Sequence, residues 1–592
     1  MRRAPAVDPV TLAVVQGALQ QVAEEMDSTL VRAALSPVMS EGHDRADGIY
    51  SAVDGSVIAQ GRSGIPILVG VMQYTVEHII RWLGTRKPVP GDVYLVNDPY
   101  YGGTHLMDMR LAKPYFYRGK LFAYLATSGH WLDMGGMVPG GFATRATEMY
   151  QEGLRIPPVK LYAGGRVNEE VVAILMGNLR TPRQAYGDLE AHLSALRVGE
   201  EGLTRLLDKY GVAMVRRCVD ELERRSAQLM RSFLKEVPEG SYSYSEYLDS
   251  DGVVDEPLRI RLDMTVKDAR VHFDFSQSSP PCKGPLNSVL STTQAAVFIA
   301  VRHLFPDLPI NAGCFRPFSF NIPPTTFLNA AFPRPVSGCG AEVSQRLVDV
   351  VLGAFSQAIP DRVPATAFGT VNNFTAAFEI PGGGTSIMYL FNGGGYGGSR
   401  ESDGLTYACP TTSIARVQEL EVLERVYPIR FSRFAIREGS AGAGRQRGGF
   451  GAVLEVEMLD DARASFLGDR GKFPPRGFHG GLPAMECRVE ILDDKRVIYA
   501  PAHVTKDQDV PVRRGQRIRL STPGGGGYGE PYERSAEAVA RDVARGYIAG
   551  DFAERVHGVI LNDTGGVDRQ RTQEARSTAA RRTSRKDTGE RK

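Results

Sequence analysis

The segment GGTHLMDMRLAKPYFYRGKLFAYLATSGHWLD, Gly102 to Asp133, limits what this chain can fold into more than any other stretch. Two strand-like runs, RLAKPYFY and KLFAYLAT, meet at Arg118-Gly119, a pair suited to a tight hairpin turn. Residues facing each other across a hairpin keep a constant index sum, about 237 for a turn centred on that pair. His130 then falls opposite residue 107, between His105 and Asp108. His105 and Asp108 are an odd number apart, so a flat strand would send them to opposite faces. They converge only if THLMD is a turn, a bulge or a helical turn, and the Gly102-Gly103 pair just upstream favours irregular backbone.

Two imidazoles and a carboxylate suit a divalent first-row metal such as zinc, manganese or iron. Hydrogen-bonded polar residues closing the end of a sheet fit the same spacing, which leaves both readings open. A further acidic ligand is sought in SEGHDRADG, a loop between a helix and a hairpin, where Glu41, Asp44 and Asp47 are the candidates. A solvated charged loop is the plainer reading of that segment. His78, His192, His272, His303, His479, His503 and His557 stand singly and are read as structural.

Elsewhere, Asp8-Pro9 opens a helix reaching about Leu35, a hairpin is expected around Asp54-Gly55, and Val69 to Gly84 is an amphipathic helix. Residues 187–235 read as helices, and the second half as strands separated by glycine clusters. The expected fold is α+β and multi-domain, with mixed and antiparallel sheets, flanking helices and a β-rich second half. The domains expected are an N-terminal α/β region with the metal site (1–185), a helical segment (186–240), a β-rich region (241–530), C-terminal helices (531–562) and a disordered basic tail (563–592).

Three glycine-rich runs, NGGGYGGSRESDG, GSAGAGRQRGGFG and PGGGGYGEP, are read as tight turns rather than anion cradles. None has the GxxxxGK[ST] pattern, and none links a strand to a helix as a dinucleotide fingerprint must. No nucleophile elbow stands in a usable context. The net charge is +2, and Asp568 to Lys592 alone holds nine Lys/Arg against four Asp/Glu. The remainder is slightly acidic, so neither nucleic acid nor a membrane is an expected partner. Six cysteines without a CxxC pair, and no long apolar run, point to a reduced cytoplasmic protein.

The motifs GDVYLVNDPYYGGTHLMDM, SGHWLDMGG, QEGLRIPPVKLY, GPLNSVLSTTQAA, LPINAGCFRPFSF and STPGGGGYGEP, in this order along the chain, resemble those of the hydantoinase B family. The resemblance extends from about residue 8 to 560. It implies a subunit that works beside a hydantoinase A-type partner, with or without a small third subunit. The partner uses ATP to phosphorylate an amide or enolate oxygen, which fits the missing P-loop here. This subunit would then complete hydrolysis of a cyclic amide resembling N-methylhydantoin or 5-oxoproline. The alternative within the family is the alpha-type subunit of an acetone or acetophenone carboxylase. The resemblance also implies a divalent metal, zinc or manganese, on His105, Asp108 and His130, with Asp44 or Glu41 as the upstream acid. Asp133, Glu152, Asn178 and Arg180 sit in matching motifs and are expected along the pocket; His192 stands where the family would place Gln. Two rival readings are a non-catalytic scaffold subunit and an iron(II) oxygenase, whose usual motif spaces the carboxylate two residues after the His, not three.

Overall fold

Asp8 caps the first helix by accepting the Thr11 amide at 2.8 Å, and Pro9 takes the first helical position, where no N–H is needed. In the computed structural model, which describes residues 7–577, this helix is α1 (Pro9–Ala33). It is followed by the short α2 (Pro37–Ser40), β1 (Arg45–Ser51), β2 (Val57–Gln60), α3 (Pro66–Leu83) and β3 (Val93–Val96). The hairpin read from the sequence is β4 (Asp108–Tyr117) and β5 (Lys120–His130). With β6 (Val159–Ala163) and β7 (Arg166–Val167) these strands form a seven-stranded antiparallel sheet, ordered β2-β1-β5-β4-β3-β6-β7.

Side-chain alternation decides which helices cover which face. Odd-numbered residues of the central strands, such as Ile49, Leu111 and Leu125, join the core built with α1 and with α5 (Pro182–Tyr210), which follows α4 (Glu169–Gly177). Even-numbered ones, such as Tyr50, Ala112 and Tyr124, pack with Met72, Val76 and Ile79 of α3. The sheet is therefore layered between α1/α5 and α3.

The chain continues through α6 (Val212–Leu234) into β8 (Gly240–Leu248), β9 (Leu258–Lys267), β10 (Arg270–Asp274), α7 (Leu290–Leu304), β11 (Phe318–Asn321) and α8 (Ser344–Ala358). The sheet β11-β10-β9-β8 is mixed, because β10 and β11 run parallel. A boundary near residue 241 does not hold. Ile260, Phe273 and Val348 share one continuous core with Leu12 of α1 and Leu203 of α5, so the helical segment and this sheet belong with the first region.

A second core begins near residue 373. It lies between two antiparallel sheets made from β12 (Asn373–Glu379), β13 (Thr385–Leu390), β14 (Ile429–Ile436), β15 (Ala452–Met458), β16 (Ala462–Leu467), β17 (Arg488–Asp493), β18 (Arg496–Tyr499), β19 (Lys506–Val512) and β20 (Arg517–Ser521). Their orders are β13-β12-β16-β19 and β14-β15-β20-β17-β18. Phe374, Phe466, Leu454 and Ile518 fill the space between them.

The three glycine-rich runs are not isolated turns. They are extended segments laid backbone to backbone outside the sheets. Gly395 N–H donates to Pro523 O at 3.1 Å, Gly525 N–H to Gly449 O at 3.0 Å, and Gly398 N–H to Gly526 O at 2.9 Å. A β-carbon at Gly395 or Gly448 would overlap a carbonyl of the facing segment, so close approach rather than turn geometry requires glycine. These amides bind one another and are not available to cradle an anion.

The expected disordered tail also needs correction, since residues 569–577 are helical. Asp568 accepts the Arg571 amide at 3.1 Å, Thr572 is buried, and Arg576 donates to the carbonyls of His557 and Arg534. The rest of that tail, 578–592, lies outside the described residues.

Candidate metal centre

Arg118 and Gly119 both adopt positive φ, 49° and 76°, as a two-residue hairpin turn requires. Near the turn the pairing follows the expected index sum, Tyr117 facing Lys120 and Phe116 facing Leu121. A bulge between Tyr115 and Phe116 then shifts the register by one residue. Asp108 is thereby brought directly opposite His130 at the end of the ladder.

His105 joins them because the chain before Asp108 is not a strand. Pro99–Tyr101 makes a short 3-10 turn, closed by Gly102 at φ 86° with its backbone packed against Tyr74. Asp108 N–H reaches back to His105 O at 3.3 Å, which turns the side chains of residues 105 and 108 to one side.

His105 Nδ1 lies 3.4 Å from Asp108 Oδ2, and His130 Nδ1 lies 3.4 Å from Asp108 Oδ1. One ligand atom from each residue fits within 4.8 Å of the others. All three are buried, at 7%, 1% and 2% exposure. The Thr104 hydroxyl donates to Asp108 Oδ2. His105 Nδ1 makes no hydrogen bond, an unusual state for a buried ring nitrogen. Burial, with His130 and Arg110 nearby, brings His105 down to about 4 despite the Asp108 charge, so its ring is neutral and its lone pair free. Burial also opposes the charge on Asp108, but His105, His130 and Thr104 together hold it below the ordinary carboxylate range. A neutral imidazole, a second imidazole and an ionised carboxylate, with one donor atom left over, fit a divalent first-row cation.

The structure separates the upstream acids by strand parity. Asp44 precedes β1, whose ladder with β5 starts at Arg45 opposite Gly129; the Asp44 carbonyl accepts the His130 amide at 3.0 Å. Its side chain lines the same cavity as His105 and Asp108, and burial pushes its carboxyl up to about 7. Asp188 of α5 steadies the loop behind it, accepting the amides of Leu35 and Ser36. Glu41 ends α2, its amide bonded to Pro37 O, and is not among the cavity-lining residues. Asp47 projects from the opposite face of β1, towards the buried Arg45–Asp27 ion pair.

The cavity is closed by residues from far along the chain. Tyr389 of β13 stacks on His130, with ring centroids 5.0 Å apart and planes at 20°, and Phe142 stacks on both. Gly340, Ala341, Val371, Asn373, Phe391 and Thr412 complete the walls beside Ile65, Ile67 and Leu68 at the start of α3. Sequence reading missed Tyr389 and Phe142, and no local pattern marks either.

The residues expected from motif matching alone do other work. Arg180 pairs with Asp133 at 2.9 Å and donates to the carbonyls of Gly135 and Gly136, pinning that loop. Glu152 accepts the amides of Val336 and Ser337. Asn178 donates to Ile174 O at the end of α4. None of the four lines the cavity. His192 lies on the odd-numbered face of the sheet, bonded to Thr127 Oγ1 at 2.8 Å, so the sheet itself separates it from the cavity.

A layered α+β chain carries a buried His/His/Asp cluster whose ligand atoms lie within 4.8 Å of one another, a candidate metal site. The profile described as Hydantoinase B/oxoprolinase matches residues 8–531, and the chain belongs to that family. The caprolactamase subunit beta of Pseudomonas jessenii is 33% identical over 577 residues, covering 96% of this chain and 98% of the relative. A 5-oxoprolinase of Dictyostelium discoideum is 29% identical over 532 residues, 88% of this chain but 40% of that longer protein. Among solved structures, the ATP-dependent caprolactamase of Pseudomonas jessenii superposes with a TM-score of 0.90 at 32% identity, over 97% of this chain and all of the other. A nucleotide-free acetone carboxylase shares the fold, with a TM-score of 0.89 at 20% identity over 99% of this chain and 84% of that one. These named relatives are enzymes. No helix among the described residues is long and apolar enough to cross a membrane, and all six cysteines are unpaired.

Proposed function

We propose that this chain is the metal-bearing B-type subunit of a cytoplasmic ATP-dependent complex that opens a cyclic amide. The observation that carries the reading is the buried His105–Asp108–His130 cluster with its unpartnered His105 Nδ1. Those three residues, with Asp44 as the fourth ligand, would hold zinc or manganese. Such a cation supplies a Lewis acid for the oxygen of the amide.

The remaining work belongs to the chain's own side chains. Thr104 fixes the Asp108 carboxylate by its hydrogen bond to Oδ2. Tyr389 and Phe142, stacked on each other and both against the His130 ring, limit its orientation. ATP chemistry falls to an A-type partner, because no phosphate-binding loop stands in this sequence and the glycine-rich runs are spent on each other. The subunit name of the caprolactamase relative supports a partner of that kind.

The test is elemental analysis of purified protein, followed by ATP-dependent ring opening after reconstitution with an A-type subunit. Wild type should carry about one divalent metal per chain and His105→Ala little. Activity that survives His130→Ala would favour a scaffold role. ATP-dependent fixation of CO2 onto a ketone, without ring opening, would move the assignment to the carboxylase branch.

A further inference from the structure

Resting on the proposed amide-opening role, the walls of the cavity also bear on the charge of its substrate. The cavity opens beside the His105–Asp108–His130 cluster, and its walls set what charge it can accept. Ile67, Leu68, Val371, Phe391 and Ala415 give it apolar sides, and Thr104, Asn373 and Thr412 give it neutral polar groups. Among the described residues, no lysine or arginine lines it.

Arg110, a buried cation close to His105, is walled off. Its guanidinium donates to Thr75 Oγ1 at 2.8 Å and to Asp98 O at 3.0 Å, with the Gly103 backbone packed against it. The start of α3 offers little to an anion: Pro66 has no N–H, and the Ile67 amide donates to Thr412 O at 3.2 Å. The charges that do face the cavity are the carboxyl groups of Asp44 and Asp108. Two carboxylates balance a divalent cation charge for charge, leaving no positive surplus for a third.

We infer that this site selects uncharged cyclic amides and rejects rings that carry a carboxylate. An anion entering it would give up its hydration with no lysine or arginine in return, and would face Asp44. A neutral ring needs only its amide oxygen and N–H satisfied, which the hydroxyl and amide side chains can do.

The probes are 2-pyrrolidone and 5-oxoproline, the same ring without and with one carboxylate. Calorimetric titration of the purified full chain should show 5-oxoproline binding at least tenfold more weakly. Ser413→Arg, which places a cation on the partly exposed wall, should bring the two close to parity, whereas Ser413→Gln should keep the wild-type preference. Equal or tighter binding of 5-oxoproline by wild type, or binding of neither ring up to its solubility limit, would overturn the inference. Ring opening in the reconstituted complex is read separately. Selective binding without ATP-dependent turnover would sink the hydrolase role and leave the selectivity standing. Preferred turnover of 5-oxoproline would do the reverse.

Discussion

Tyr389 lies against His130 with ring centroids 5.0 Å apart, although one comes from β13, whose Met388 and Leu390 pack in the second core, and the other ends β5 of the first sheet; Tyr389 itself packs into the first core. The Tyr389 hydroxyl donates to Asn373 Oδ1 at 2.6 Å, so the hairpin β12–β13 sets the position of the ring. The His105–Asp108–His130 cluster is thus built by the first sheet and flanked by a ring that the hairpin β12–β13 sends into the first core.

Removing that ring should loosen the cluster without deleting a ligand. Tyr389→Ala should weaken metal binding roughly 10- to 100-fold, the range typical when a group that orients a ligand is lost. Tyr389→Phe keeps the stack and loses one hydrogen bond, and should stay within a few-fold of wild type. Competition against a chromogenic chelator reads both. Wild-type affinity in the alanine variant would show that the ring does not orient His130.

How much of this was legible in the sequence depended on distance along the chain. The Arg118-Gly119 turn fixed the hairpin, and with it the meeting of His105, Asp108 and His130, because all three lie within one ribbon. The register was read one residue off, since nothing in LAKPYFYRGKLF marks the bulge at Tyr115. Parity along β1 and β5 would have separated Asp44 from Asp47 and placed His192 behind the sheet, had the strand bounds been known. Tyr389 and Phe142 depend on the packing of distant segments, which leaves no local period. The glycine runs misled for a related reason: a glycine kept for close backbone approach looks the same in sequence as one kept for a turn.

Asp469 accepts from Arg346 and from Lys506, each at 2.7 Å, and none of the three side chains is exposed. Asp469→Ala would leave two buried cations without this carboxylate and should cost about 3–5 kcal/mol. Arg430, paired with Glu457 on the surface, is the control; Arg430→Ala should cost about 1 kcal/mol or less. Urea denaturation followed by circular dichroism compares them. Equal small losses would mean that Arg346 and Lys506 find other partners, Asp349 and Asp249 being nearest.

Glu152 should make the protein lose stability as pH rises from about 4.5 to about 7. Burial pushes its carboxyl up to about 7, against the pull of the Val336 and Ser337 amides. The folded state therefore holds this proton more tightly than the unfolded chain. Its contribution is full below the unfolded value of 4.5 and is lost as pH rises through about 7. The shift corresponds to about 3 kcal/mol at most. Glu152→Gln keeps an acceptor for one of the two amides, loses the other, and removes the titration, so the slope with pH and not the absolute stability is compared. Its urea midpoint should fall less with pH across this window than that of wild type, and parallel slopes would place the proton on another group.

The stacked glycine segments make the sharpest prediction about stability. A β-carbon at Gly448 would overlap the carbonyl oxygen of Gly525, and both atoms belong to backbone that is hydrogen-bonded on each side. Neither segment can retreat without breaking those bonds, because Gly448 N–H donates to Gly442 O and Gly525 N–H to Gly449 O. Gly448→Ala should therefore destabilise by about 3 kcal/mol or more, the upper end of overpacking costs. Gly17 is the opposite case. It lies on the exposed side of α1 with nothing within 4 Å of an added β-carbon. Gly17→Ala should stabilise by roughly 0.5–1 kcal/mol, since alanine loses less backbone freedom in a helix. Thermal and urea unfolding of the two variants should move in opposite directions from wild type. If Gly448→Ala were tolerated as readily as Gly17→Ala, the runs would be ordinary loops, their amides would be free, and an anion site on this chain would have to be considered again.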